Sequence, residues 1–493
     1  MSPESGNPDR PMHEDELVVK RVARLDALSP LDGRYGRKTE ELAEIFSERG
    51  LMQARVGVEI DYLIALSEDI GVPLRGFSDG ERALLHGLRT VTLEDAALIK
   101  AIETQGFGEG IKDPTNHDVK SVEYFIKHRL AGTTLEPELE WVHFALTSED
   151  VNNLAYAEML QRGVFEVVIP AADALVEDLD AWAQLYAENP MLSRTHGQAA
   201  SPTTFGKEMR VFAERLKKQI AKVHDMQIEA KLNGATGNFS AHDAGVPNVD
   251  WVAFSERFIR GRQARHFRNP AVVPNHVTTQ IEPHDSYVEL FHGLHRLNSI
   301  MIDASQDLWR YISDDWVKLR AVAGEKGSSA MSYKVNPIDA ENAEGNAGKA
   351  NADFEFFARK LPVSRLQRDL SDSTVERTFG SALGHTVIAI DSMRRAISKC
   401  ALNGTAVEAA LEANPKVVTE AYNGAMRAAG FAKPYEQLEL LTRDKSVTLR
   451  DLHKFVIGLD IAPELKVRLL GIEPRDYTGY AARIARLEDI PGH

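Results

Sequence analysis

Apolar residues recur at three- and four-residue intervals over long stretches of this chain, the spacing that lays a single hydrophobic stripe along a helix. Between Glu40 and about Ile70 the stripe is carried by Leu42, Ile45 and Phe46, then by Val56, Ile60, Leu63 and Leu66. Residues 164–186 place Val168, Ala172, Leu175, Leu179 and Trp182 the same way, and residues 205–228 do so with Phe205, Met209, Phe212, Leu216, Ile220 and Val223. Residues 287–312 (Leu290, Leu294, Leu297, Met301, Leu308, Ile312) and 379–402 continue the pattern. Runs this long exceed typical globular helices and predict a bundle that also packs against partner chains. Strand patterns are few and short, so the predicted fold class is all-α. No internal repeat and no Gly/Ser-rich linker marks a sharp boundary.

Composition narrows the picture. A chain of 493 residues, 43% apolar and 27% charged, has the make-up of a soluble globular protein of two to four domains. No run of about 18 apolar residues occurs, so no membrane span is expected. Met1 to about Lys20 carries three prolines and several acids without an apolar core, and reads as a disordered tail rather than a signal peptide. The single cysteine, Cys400, excludes an intrachain disulfide framework and fits a reducing, cytoplasmic setting. No H-E-x-x-H pair or other zinc-like spacing appears, and Gly106–Gly110 is not a dinucleotide fingerprint, so neither metal nor cofactor is expected. The net charge of −15 argues against a nucleic-acid binder and requires a locally basic pocket for any anionic ligand.

Chemistry concentrates in polar loops at the ends of these helices. Ser29-Pro30-Leu31-Asp32-Gly33-Arg34-Tyr35 is a turn that presents an arginine and a tyrosine. Thr115–Lys120 (with Asn116, His117 and Asp118) and Thr147–Asn153 (with Thr147 and Ser148) both open helices, where capping is the plain structural reading. Ser193–Gln198, Gly234–Asn238, Thr278–Asp285 and Arg368–Arg377 flank the later helices. Gly327-Ser328-Ser329-Ala330-Met331-Ser332-Tyr333-Lys334-Val335-Asn336-Pro337 combines small residues with a lysine six positions after Ser328 and an asparagine two further on. Backbone donors of such a loop can hold a serine oxygen or an anion. If His196, Ser328, Lys334 and Asn336 converge, one group can take a proton from carbon while another protonates the leaving atom. An acyl-transfer site is the competing enzyme reading, but Gly327-Ser328-Ser329 lacks the G-x-S-x-G elbow.

The Gly327–Pro337 loop resembles the G-S-S-x-M-P-x-K-x-N loop of the fumarase/aspartase superfamily. Together with Ser29–Tyr35, Thr115–Lys120, Thr147–Asn153, Ser193–Gln198, Thr278–Asp285 and Gln367–Arg377 it resembles that superfamily's adenylosuccinate lyase family, over roughly residues 25–480. The resemblance implies three helical domains, about 23–137, 138–397 and 398–493 behind a tail at 1–22, with a central long-helix bundle. It implies a homotetramer whose active sites are shared between subunits. The substrates would be adenylosuccinate and the succinylated carboxamide ribotide, each losing fumarate by β-elimination.

By the same resemblance His196 is the general acid and Ser328 the base. Lys334 and Asn336 hold the succinyl carboxylates with Thr147 and Ser148, and His117 lies near the phosphate or orients the acid, flanked by Asn116 and Asp118. Arg34, Tyr35, Arg368, Ser373, Thr374 and Arg377 form the phosphate and ribose pocket, which Gln280 and Asn342 complete. The arginines and Lys334 then supply the local positive field. The chain departs from the family pattern at Ser332 and Tyr333, where Pro-His is usual, and at Ala199, where proline is usual; loop closure is where these would tell. A sibling lyase acting on argininosuccinate or malate is an alternative, against which the phosphate-type residues speak. A catalytically silent binding paralogue is a second.

Overall fold

The computed structural model describes residues 26–108, 111–266, 272–320, 331, 334–443 and 446–492. The expected tail at 1–22 lies outside them.

Each apolar stripe is a helix. The first is two helices, Glu40–Phe46 and Glu48–Glu68, parted at Ser47, whose extended backbone ends one and whose hydroxyl accepts the Gly50 N–H of the next at 3.2 Å. Ile169–Leu185, Phe205–His224, Asp285–Ser313 and Phe379–Lys399 follow the remaining stripes. The first of these continues a helix that begins earlier, at Ser148–Arg162, through a π-helical turn at Gly163–Val168. Asp285–Ser313, with 29 residues, is about 43 Å long.

Two features depart from the periodicity. Ile338–Lys360 is a 23-residue helix whose stripe is made mostly of alanine: Ala340, Ala343, Ala347 and Ala350 are buried ahead of Phe354 and Phe357. Three small two-stranded sheets also occur among the described residues. Pro190–Thr195 pairs antiparallel with Gln198–Thr204, Ile228–Ala230 parallel with Val272–Pro274, and Val317–Leu319 antiparallel with Cys400–Leu402. The fold is nonetheless all-α in class, since helices carry the core. No helix among the described residues is long and apolar enough to cross a membrane.

The chain forms two compact units. One comprises 1–171, 221–299 and 346–389, the other 172–220, 300–345 and 390–493. In the first unit the core is built around Phe379, whose ring lies 5.0 Å from Phe291, 5.2 Å from Phe357 and 5.9 Å from Tyr156. Phe46 is wedged between two helices of this unit at glycines. A Cβ on Gly380 would lie 2.4 Å from the Phe46 Cβ, and one on Gly163 2.4 Å from its ring. Gly380→Ala is therefore expected to lose about 1–3 kcal/mol through overpacking, read as a lower thermal unfolding midpoint; an unchanged midpoint would show that Phe46 has room to move. In the second unit Trp182, Tyr186, Phe205 and Tyr311 form an aromatic cluster. A separate core of Val418, Tyr422, Met426, Leu452 and Val456 holds the C-terminal helices. Cys400 is buried at the start of the Cys400–Leu402 strand, and burial pushes its thiol up to about 12, so it is a packing residue.

Candidate active site

The first unit is organised around the start of the Ser148–Arg162 helix, which is buried on nearly every side. A helix with no solvent face can carry polar residues only where each finds a partner. Asp150 does so by gathering loops: its carboxylate accepts the Thr147 N–H at 2.9 Å, the Asn233 N–H at 3.0 Å and the Gly234 N–H at 3.1 Å. It also pairs with the fully buried Lys231 at 3.0 Å. Lys231 spends its other protons on the carbonyls of Gly234 at 3.0 Å and Gln280 at 2.6 Å. Asn153 exchanges hydrogen bonds with the Lys231 backbone, at 2.7 and 3.0 Å. Three of the polar loops singled out above, at 147–153, 234–238 and 278–285, are thereby fixed to one buried ion pair.

Above this base the first unit carries a cavity of about 420 Å³. It is lined by Asn116, His117, Asp118, Ser148, Arg368, Ser373 and Arg377, all predicted, and by Glu48, Arg55, Lys100, Glu103, Asn152 and a few apolar residues, which were not. His117 is at once the N-cap of the Asp118–Leu130 helix and a cavity residue: its Nδ1 accepts the Lys120 N–H at 3.3 Å. With Nδ1 an acceptor, the neutral ring carries its proton on Nε2, which lies 3.3 Å from the Ser148 Oγ. Arg368 donates to the Gln280 Oε1 at 3.2 Å and pairs with Glu149 at 2.9 Å. Arg377 pairs with Asp118 at 2.7 Å.

Electrostatics beneath the cavity are unusual. Burial opposes the charge on Asp118, but Arg55 and Arg377 hold its carboxyl well below the usual carboxylate range. Burial, with repulsion from Glu376, lifts Glu149 well above that range despite Arg368. Burial disfavours a charged His284, yet its hydrogen bond and charge interaction with Glu376, 3.3 Å away, raise it to about 9. On the short helix Ser371–Glu376, Asp372 and Glu376 are buried one turn apart, while Ser373 and then Arg377 line the cavity one turn apart. The four-residue spacing thus separates an anchoring acid face from a ligand-facing one.

Some predicted residues fall elsewhere. Arg34 and Tyr35 sit in the expected turn, closed by the Tyr35 N–H to Pro30 at 2.8 Å, and the Arg34 guanidinium lies 5.8 Å from the Tyr35 ring. They are not among the cavity's lining residues, and neither is the exposed Thr374. His196, Lys334, Asn336 and Asn342 belong to the second unit. Ser328, with Ser332 and Tyr333, lies outside the described residues. Lys334 is exposed, and the Asn342 amide donates to Ser392 at 2.8 Å.

His196 is presented by a hairpin, not by a loop leading straight into a helix. Thr195 pairs with Gln198, so His196 and Gly197 form a two-residue turn, with φ of 53° and 74°. Left-handed backbone at both positions is the type I′ hairpin turn. Arg194 braces it, its guanidinium 5.3 Å from the Trp316 ring and its Nη1 3.4 Å from the Gly197 carbonyl. The imidazole stands exposed at the tip.

Arg55 and Glu149 escaped the sequence reading. Arg55 falls among apolar residues of the Glu48–Glu68 helix, four before the buried Glu59, and its place on the buried face was the available signal. Glu149 stands in the first turn of the Ser148–Arg162 helix, where an acid is common and carries no signal of its own.

A family model described as "Lyase" matches residues 33–351, and one described as "Adenylosuccinate lyase C-terminal" matches 364–478. The adenylosuccinate lyase of Haemophilus influenzae is 44% identical over 467 residues, covering 94% of this chain and 99% of that protein. The adenylosuccinate lyase of Vibrio cholerae is also 44% identical, over 94% of this chain and 99% of its own length. Among solved structures, a fumarate lyase from Mesorhizobium sp. BNC1 shares the fold with a TM-score of 0.70 at 15% identity, covering 90% of this chain and 96% of that one.

Proposed function

The chain belongs to the adenylosuccinate lyase family, within the fumarase/aspartase superfamily, and from that premise we propose how its residues release fumarate from adenylosuccinate to leave AMP. It is a C–N lyase. Elimination breaks a C–H and a C–N bond of the succinyl group and needs a base on carbon and an acid on the departing nitrogen. Ser328 takes the carbon proton and His196 protonates the nitrogen. Lys334 and Asn336 hold the succinyl carboxylates, where their donors stabilise the charge that builds up next to the deprotonated carbon. Thr147 and Ser148 assist, and Gln280 and Asn342 complete the site. The cavity of the first unit takes the nucleotide end: Arg368, Ser373 and Arg377 face the phosphate, and His117, with Asn116 and Asp118, borders it.

The observation that carries this reading is that one cavity collects residues from three separate predicted motifs, 116–118, 148 and 368–377, and that three arginines, Arg55, Arg368 and Arg377, line it. Arginine's planar fork suits phosphate, and argininosuccinate and malate have none. The same site would accept the succinylated carboxamide ribotide, which shares the phosphate and succinyl ends. Arg34, Tyr35 and Thr374 lie outside this chain's cavity lining, which accords with sites completed by neighbouring copies in a cytoplasmic homotetramer of three-domain subunits, bounded near residues 137 and 397.

Fumarate release by purified protein from adenylosuccinate, the succinylated carboxamide ribotide, argininosuccinate and malate tests the assignment, with release expected from the first two alone. Ser328→Ala is expected to lower kcat on adenylosuccinate by about 10²–10⁴-fold. Near-normal turnover in a folded variant would move the base to another residue, and no release by the unmodified chain would point to a silent relative.

A further inference from the structure

Two of the three arginines that line the cavity, Arg377 and Arg368, are joined to each other by one unbroken series of polar contacts that runs through the third, Arg55. Arg377 Nη2 lies 2.7 Å from Asp118 Oδ2, and the same oxygen takes Arg55 Nη2 at 2.8 Å. Arg55 Nε then donates to Asn152 Oδ1 at 2.9 Å, and Asn152 Nδ2 to Glu149 Oε2 at 3.4 Å. Glu149 Oε2 closes the series on Arg368 Nη2 at 2.9 Å. Arg55 and Glu149 are 3% and 1% exposed; Arg55 holds Asp118, which carries Arg377, and Glu149 meets Arg368 directly.

A guanidinium has five N–H donors, so an arginine held by a carboxylate on one edge still offers another edge to a ligand. A free arginine loses rotamer freedom when it grips phosphate; one already held loses less. The series runs Arg377, Asp118, Arg55, Asn152, Glu149, Arg368, with the neutral Asn152 as the joint between its two halves. Asn152 and Glu149 stand on the first turn of the buried Ser148–Arg162 helix, and Arg55 stands in the equally buried Glu48–Glu68 helix. Neither helix has a solvent face along which these side chains could swing.

We propose that Arg55 and Glu149 are positioning residues that set the spacing and orientation of Arg377 and Arg368, making a prebuilt clamp for a phosphate monoester and thereby the cavity's preference for a phosphorylated nucleotide over the bare nucleoside. This rests on the reading of the cavity as the nucleotide end of the site. The clamp acts on binding: Arg55, at the edge of the cavity, holds Asp118 and Asn152, and Glu149, outside the lining, holds Arg368. Arg55→Lys keeps the charge but loses the fork that spans Asp118 and Asn152. Glu149→Gln keeps the shape but replaces the carboxyl that meets Arg368 with an amide.

The test uses these two variants in the full-length protein, each checked for unchanged oligomeric state and unfolding midpoint. Binding of AMP and of adenosine is measured by calorimetry, and fumarate release is measured from adenylosuccinate and from its phosphate-free nucleoside. Each variant is expected to weaken AMP by about tenfold; Glu149→Gln, at a residue outside the cavity lining, is expected to leave adenosine unchanged within twofold and to raise KM for adenylosuccinate with kcat within about threefold. On the nucleoside substrate kcat/KM of Glu149→Gln stays level. Equal losses on both members of each pair would reduce Arg55 and Glu149 to structural residues and overturn the proposal, as would AMP binding unchanged from the parent. If the parent chain prefers AMP to adenosine and the variants lose that preference, while no protein releases fumarate, the clamp stands and the lyase reading falls.

Discussion

Replacing His196 with asparagine is expected to lower kcat for fumarate release by about 10²–10⁴-fold, the usual worth of a positioned general acid, while leaving the protein as stable as before. The stability half of this expectation comes from the turn. His196 and Gly197 both have left-handed backbone, at φ 53° and 74°, in a two-residue hairpin. Asn-Gly is the preferred pair for that turn, and histidine is the less common occupant of its first position. Asparagine therefore relaxes the backbone while removing the imidazole proposed as the acid. A residue kept against the local preference of its turn is a mark of function, because the strain must be offset elsewhere. Here Arg194 provides part of that support through Trp316 and the Gly197 carbonyl. Steady-state kinetics and a thermal melt decide the matter together. Activity within tenfold of the parent would remove His196 from the acid's role, and a marked fall in the melting midpoint would show that the imidazole holds the hairpin.

The hairpin also marks the limit of what the sequence discloses. The segment from Ser193 to Thr204 is short, polar and rich in small residues, so it lacks the apolar alternation that identifies a strand. Its pairing is set by the turn and by the helix that follows, and neither leaves a periodic trace. Ile338–Lys360 was missed for a related reason. Its buried stripe is alanine until Phe354, and alanine carries little hydrophobic signal even where it permits close helix packing. The long helices were legible because Leu, Ile, Met and Phe mark their stripes at 3.6-residue spacing, and those stripes are the buried positions in the structure.

The polar loops were legible as a set. His117 shows why neither reading of such a loop excludes the other: the same imidazole caps a helix through Nδ1 and faces the cavity. Arg55, Glu149 and Lys231 were not legible, because a charge buried against its partner is written in the same letter as a charge in water. Only the partner, distant in sequence, distinguishes the two.

That distinction gives the largest stability effect expected here, in Asp150→Ala. Removing this carboxylate strands the fully buried Lys231 ammonium with only two carbonyls, and leaves the N–H groups of Thr147, Asn233 and Gly234 without their acceptor. Breaking one side of a buried ion pair costs about 3–5 kcal/mol, chiefly because the surviving charge is uncompensated. Asp150 joins three loops, so the loss should be concentrated in them and should be visible as local opening before global unfolding. Hydrogen exchange followed by mass spectrometry is the fitting measurement. Peptides covering 147–153 and 231–238 are expected to lose protection by about 10²-fold or more, while those covering Ile169–Leu185 change little. Asp150→Ala combined with Lys231→Met removes both charges, and should recover part of the protection because no buried ammonium remains unpaired. If the double variant exchanges as fast as the single one, the lost N–H acceptor rather than the stranded charge is what binds these loops together. If neither variant changes exchange at 231–238, the loops are held by packing, and the ion pair at the base of the site is dispensable to its shape.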